Sequence, residues 1–259
     1  MSSNQYTFYD LASRSPGLTW TPNPWKTRLV LNFKGIDYNT RWLEYPEITP
    51  ELENQYVYKY KKKYYVDVIL TYHAGSLPPN ETFPRYTIPA IITPDGKYMM
   101  DSRPIAEYLE SKHPSPSLHL DSSIVDQVDA LWWKYMGAIM PIFLNQVPKR
   151  ILNDASLEHW YRTRKAFVGM TVEELEETKG GEKAWNEAEP VLRETTALLK
   201  QTEGLFFLGE TISYADFIWG SVLLFSERIG PDFFAEALKR TGDAQVHLDL
   251  LNAVRPWSV

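Results

Sequence analysis

The chain has 259 residues, 44% of them hydrophobic, which is enough to build a sizeable core in one large or two ordinary domains. A net charge of −6 with scattered Lys and Arg excludes the basic face of a nucleic-acid binder. Cysteine is absent, so a disulfide framework, a thiolate metal site and a cysteine nucleophile are excluded, and any sulfur used in chemistry must arrive with a ligand. No run approaches a membrane span, and residues 1–9 lack the basic and apolar regions of a signal peptide, so a cytoplasmic protein is expected. Nine Trp, 16 Tyr and 11 Phe are read first as core filling, while their abundance also hints at a pocket for flat, apolar ligands.

Residues 5–12 predict a first strand rich in aromatics. A loop rich in Ser, Pro and Gly follows, from Ser13 to Asn23. Pro24 opens a helix, where its missing N–H has no partner to lose. Trp25, Leu29 and Phe33 follow at helical spacing, and Gly35 stops the helix. Residues 38–44 read as a second strand and 89–93 as a short buried one. Asp95-Gly96 is a hairpin signal, with 97–100 as the return strand. A helix spans Arg103 to Lys112 and ends at His113-Pro114. A strand–helix–strand unit with a terminal hairpin and helix is the thioredoxin-like plan, its first unit parallel and right-handed.

From Asp121 onward the pattern is helical. Val125, Val128, Trp132, Tyr135, Ile139 and Phe143 form one apolar stripe. Thr171–Glu174 and Ser213–Asp216 read as capping boxes, and further helices are expected over 182–203, 213–228, 232–240 and 244–254. The expected fold class is an α/β thioredoxin-like N-terminal domain, residues 1–114, followed by an all-α helical-bundle domain, residues 115–259. Residues 115–120 would form the linker.

Three places carry residues suited to chemistry. Thr21, in Thr-Pro-Asn-Pro-Trp-Lys-Thr-Arg, stands at a loop-to-helix junction, where unpaired N–H groups and a hydroxyl can hold an anion such as a thiolate. The plain alternative is that Thr21 only caps the helix. Ile88-Pro89 precedes a buried strand. A cis bond there would offer the Ile88 backbone to a peptide ligand, although trans is the commoner isomer. Asp101-Ser102 starts a helix. The serine and helix N–H groups could take a carboxylate and Asp101 an ammonium, or the pair could simply cap.

Taken in order, Thr21-Pro22-x-x-x-Lys26-x-Arg28, Ile88-Pro89, Asp101-Ser102 and Ser213-x-x-Asp216 resemble the glutathione transferase superfamily along nearly the whole chain. Residues 20–36 and Trp42-Leu-Glu-Tyr-Pro-Glu-Ile are similar to the fungal etherase-related class, itself similar to bacterial lignin β-etherases. The resemblance implies glutathione as co-substrate, no metal, a homodimer and a detoxification-type role, while the charge and the lack of a long apolar run speak against a nucleic-acid or membrane partner. The resemblance also implies that Thr21 holds the thiolate, with Asn23 as a second donor. It further implies a cis Ile88-Pro89 that binds the cysteinyl backbone, and a γ-glutamyl site at Asp101 and Ser102. Thr21 stands where relatives of this type keep Ser, which preserves the hydroxyl and stiffens its rotamer. Trp20, Trp132, Tyr135 and the region of Trp160 are the candidates for a pocket holding an aromatic or apolar co-substrate, with plain core packing as the alternative for each. The expected function is a glutathione transferase acting on aromatic or apolar electrophiles or aryl ethers. The alternative is a non-catalytic ligandin that binds aromatic compounds.

Residues 57–74, with Lys59 to Lys63 at their centre, form an atypical insert. They read either as a short retained intron translated in frame or as a genuine basic, aromatic insert able to meet an anionic surface. Spliced transcripts joining Gln55-Tyr56 to Gly75-Ser76 would support the intron, and uninterrupted mature transcripts would refute it.

Overall fold

Tyr-Thr-Phe-Tyr-Asp-Leu alternates too little to have a wet face. β1 (Tyr6–Leu11) is accordingly buried at every position but Thr7. The structure is a computed structural model and describes residues 5–53 and 85–259. The insert expected at 57–74 lies outside the described residues. β1 runs parallel to β2 (Tyr38–Leu43), Tyr6 opposite Tyr38 and Leu11 opposite Leu43. On its other side it pairs antiparallel with β3 (Ala90–Ile92), Phe8 opposite Ile91. β3 pairs antiparallel with β4 (Tyr98–Met100), giving a mixed sheet of order β2-β1-β3-β4 among the described residues.

α1 (Pro22–Phe33) crosses from β1 to β2 and is buried almost all round, including Lys26, Thr27 and Arg28. It is apolar on several faces because it lies between α2 (Ser102–Lys112) and the helical half, where it packs on α7 (Tyr214–Ile229). α1 starts at Pro22, not Pro24. Both prolines suit a first turn, and Thr21, extended at φ −109° and ψ 146°, makes the earlier start the native one.

The helical half comprises α3 (Ser123–Arg150), α4 (Asp154–Val168), α5 (Val172–Lys179), α6 (Glu182–Leu199), α7, α8 (Pro231–Arg240) and α9 (Ala244–Val254). α3 and α7 form its centre, with α5 and α6 against α3 and α8 against α7. The apolar stripe of α3 is buried from Val125 to Ile142; Phe143 is only partly buried and packs edge-on against Phe225, 5.5 Å between centroids. The capping boxes at Thr171 and Ser213 are both formed.

Candidate functional site

Three chain segments build the first part of the site. Thr19 Oγ1 donates to Asp10 Oδ2 (2.5 Å) and accepts from Arg28 Nε (2.6 Å), while Arg28 Nη2 pairs with the same carboxylate oxygen at 3.1 Å. Asp10 is fully buried; burial raises its pKa, against the pull of Arg28, Thr19 and the Leu11 N–H. β1, the loop and α1 are thereby tied together two residues ahead of Thr21.

Thr21 occupies the N-cap position of α1, yet its side chain makes no capping hydrogen bond. The capping alternative is therefore not what its hydroxyl does. Pro22 and Pro24 have no N–H, and the Trp25 N–H is taken by Thr21 O at 3.1 Å. The first turn thus presents one further N–H, that of Asn23, beside the Thr21 hydroxyl and the Asn23 amide. Both residues are half-buried.

The Ile88-Pro89 peptide is cis. Pro89 O accepts from the Asp101 N–H at 3.1 Å, linking the loop before β3 to the start of α2. Asp101 sits at φ 71° and its side chain does not cap the helix; Oδ1 instead accepts from the Thr87 hydroxyl at 2.9 Å. Ser102 is the first residue of α2. Pro104 has no N–H and the Ile105 N–H is bonded to Asp101 O at 3.1 Å, so Ser102 and Arg103 supply the free helix donors.

The four aromatic candidates do not form one cluster. Trp20 and Trp160 come together, 6.5 Å between ring centroids, with Tyr45 at 6.4 and 5.4 Å from them. The Arg164 guanidinium lies 4.0 Å from the Trp160 centroid. This group bridges the two halves, assisted by Ser156 Oγ, which donates to Glu44 Oε2 (2.5 Å) and accepts from the Tyr45 N–H (3.0 Å). Trp132 sits elsewhere on the seam, under the Lys26 ammonium at 3.6 Å. Lys26 is buried, with Asp129 at 3.9 Å, and desolvation lowers its pKa to about 8. Tyr135 is fully buried inside the helical half against Trp219, 5.7 Å between centroids.

Sequence reasoning missed Tyr45, Arg164, Asp10 and Thr19, whose partners are far away in the chain or carry no motif. A buried acid in an apolar strand was the one signal that could have singled out Asp10.

Residues 20–112 match the family described as glutathione S-transferase, N-terminal domain, and residues 127–238 match glutathione S-transferase, C-terminal domain. A glutathione S-transferase-like protein of Aspergillus flavus, ustS, is 30% identical over 253 residues, covering 89% of this chain and 83% of that protein. A solved glutathione S-transferase of Ceriporiopsis subvermispora, in complex with glutathione, is 29% identical over 99% of this chain and 98% of its own, with a TM-score of 0.77. A glutathione transferase of Phanerochaete chrysosporium is 26% identical over 98% and 97%, with a TM-score of 0.76. Matched in both halves and in order, the chain belongs to the glutathione S-transferase superfamily.

Proposed function

We propose that this protein binds glutathione at the Thr21, Ile88-Pro89 and Asp101-Ser102 positions and uses its thiolate on an aromatic or apolar electrophile, with etherase-type substrates included. The observation that carries this reading is the Thr21 hydroxyl, which stands at the start of α1 without serving as its cap. Thr21 Oγ1–H, the Asn23 N–H and the Asn23 amide together supply donors for a sulfur anion. Lowering the thiol pKa by about two units corresponds to roughly 2.7 kcal/mol of preference for the thiolate. The sulfur electron pair then forms a C–S bond while the leaving group departs with its own pair, an aryloxide in the case of an ether. The thiol proton goes to solvent.

The reading divides the chain at residues 114 and 115, with a homodimer in the cytoplasm as the working form. Among the described residues, no helix is long and apolar enough to cross a membrane. The co-substrate is expected beside Trp20, where the loop carrying Thr21 meets Tyr45 and Trp160. The test combines calorimetry and turnover. Thr21→Ala is expected to keep glutathione binding and lose roughly 100-fold in conjugation rate, the scale for removal of one donor to a reacting anion. Unchanged turnover in Thr21→Ala and in Thr21→Ala with Asn23→Ala would sink the assignment. Binding of aromatic compounds without turnover by the wild type would identify a ligand carrier.

A further inference from the structure

We propose that Arg164 makes the co-substrate subsite selective for aromatic compounds that carry a carboxylate. The ring of such a compound would lie against Tyr45 and His159, and its carboxylate would take the Arg164 guanidinium. The proposal rests on the reading of the seam beside Trp20 as the place of the co-substrate.

Arg164 stands one helical turn after Trp160 on α4, so the two side chains share a face. The Trp160 ring is fixed from below, because its Nε1–H donates to Leu144 O at 2.9 Å. The guanidinium lies over that ring, 4.0 Å from its centroid, and 4.9 Å from the Tyr45 centroid. Two aromatic faces thus hold the cation in one place. Trp20 and Trp160 are buried, whereas Tyr45, His159 and Arg164 are half-buried. An incoming ligand therefore meets these three first.

Arg28, Arg150 and Arg240 each meet carboxylates, whereas Arg164 meets none among the described residues. Glu44, next to Tyr45 in the chain, is occupied instead by Ser156 at 2.5 Å and Asn153 at 2.7 Å. The positive charge is felt by its neighbour: His159, stacked on Tyr45 at 6.1 Å, has its pKa lowered by burial and then by Arg162 and Arg164. A guanidinium has five N–H groups, of which Thr163 Oγ1 takes one at 2.9 Å. A carboxylate needs two of them, side by side, and that fork is what separates it from a phenolate, which offers a single oxygen. An arginine pre-set on aromatic faces and lacking an acid of its own is suited to an anion brought in on a flat ring.

Calorimetry on the full chain tests this, using S-benzylglutathione and its isomers that carry a carboxylate at the ortho, meta or para position of the ring. The glutathione part tethers the ring on the co-substrate side, so binding alone reads the contact and no turnover is needed. Wild type is expected to bind at least one acid isomer roughly 10-fold more tightly than the parent, the lower end for a charge-assisted bond because the guanidinium is half-exposed. Arg164→Met keeps the apolar stem; it is expected to bind the parent as wild type does and to lose the preference for the acid. Arg164→Lys, a cation without the fork, is expected to keep part of that preference. No preference for any acid isomer in the wild type, or a preference that survives in Arg164→Met, would overturn the proposal while leaving the glutathione site intact. Equal losses for parent and acid in Arg164→Met would show that Arg164 only packs the seam, and would overturn it too. Failure of a wild type folded by circular dichroism to bind glutathione or any of the conjugates would overturn the underlying site and this proposal together.

Discussion

Thr19 is gripped by two buried charges, and this decides how firmly Thr21 is held. Arg28 reaches Asp10, Thr19, Thr40 and Tyr38, and its guanidinium faces the Trp42 ring at 5.3 Å. Arg28→Met would leave the Asp10 carboxylate buried without its counter-charge. Removing one partner of such a pair costs about 3–5 kcal/mol. Urea unfolding is expected to show a loss of that size. A loss below about 1 kcal/mol would mean that the network is dispensable. Thr21→Ser keeps the hydroxyl and removes the methyl that stiffens its rotamer. Turnover equal to or above that of wild type is expected in a conjugation assay, and a drop of tenfold or more would show that the methyl is itself needed. These positions stood out in the sequence because Thr, Pro, Asp and Ser fall there at element boundaries, where capping is the plain alternative use. What their side chains do was not legible: Thr21 and Asp101 occupy cap positions without capping.

At the scale of elements, two buried polar groups hold the helical half together and respond to pH in opposite senses. His247 Nδ1 accepts from Trp219 Nε1 at 3.0 Å, so its own hydrogen sits on Nε2, facing Thr196 Oγ1 at 2.8 Å. A second ring hydrogen would collide with the indole N–H. Burial lowers the His247 pKa to about 4, below its ordinary 6.5. Its contribution is therefore complete above pH 6.5 and fades as pH falls towards 4, by roughly 3 kcal/mol in all. Asp216 runs the other way: burial raises its pKa to about 6, so its contribution fades as pH rises through that value. The two overlap between pH 4 and 6, and His247→Gln separates them. The difference in denaturation midpoint between wild type and this variant is expected to shrink from pH 7 to pH 4, whereas a constant difference would refute the histidine's part. Asp216→Ala would leave the Phe207 and Ser213 N–H groups, now at 2.9 and 2.7 Å from the carboxylate, without partners. A loss of about 3 kcal/mol is expected in urea unfolding at pH 7. The Ser213–Asp216 box was legible because capping is local. The end of α6 was not: the expected helix ran to 203, but the native one stops at Leu199. No Gly or Pro marks that point before Gly204, and the chain leaves to make the small bridges Phe206–Gly209 and Leu208–Thr211.

Across the whole molecule, the order of elements and the division into a sheet half and a helical half could be read from periodicity and from Pro and Gly punctuation. The seam between the halves could not. Glu44 with Ser156, Trp20 with Trp160 and Lys26 with Trp132 each join residues more than a hundred positions apart, and local patterns say nothing about such meetings. The same distance explains why the aromatic candidates, alike in sequence, divide among the seam and the interior. The seam also has an optical consequence. Trp20 and Trp160 stand 6.5 Å apart with their planes inclined by 58°, close enough for their excited states to mix, and Trp20 is joined directly to Thr21. The near-ultraviolet dichroism of the pair therefore acts as an internal gauge of how the halves are seated around the first turn of α1. It should vanish in Trp160→Phe, and in the wild type it should respond to whatever settles beside Thr21, with no label added.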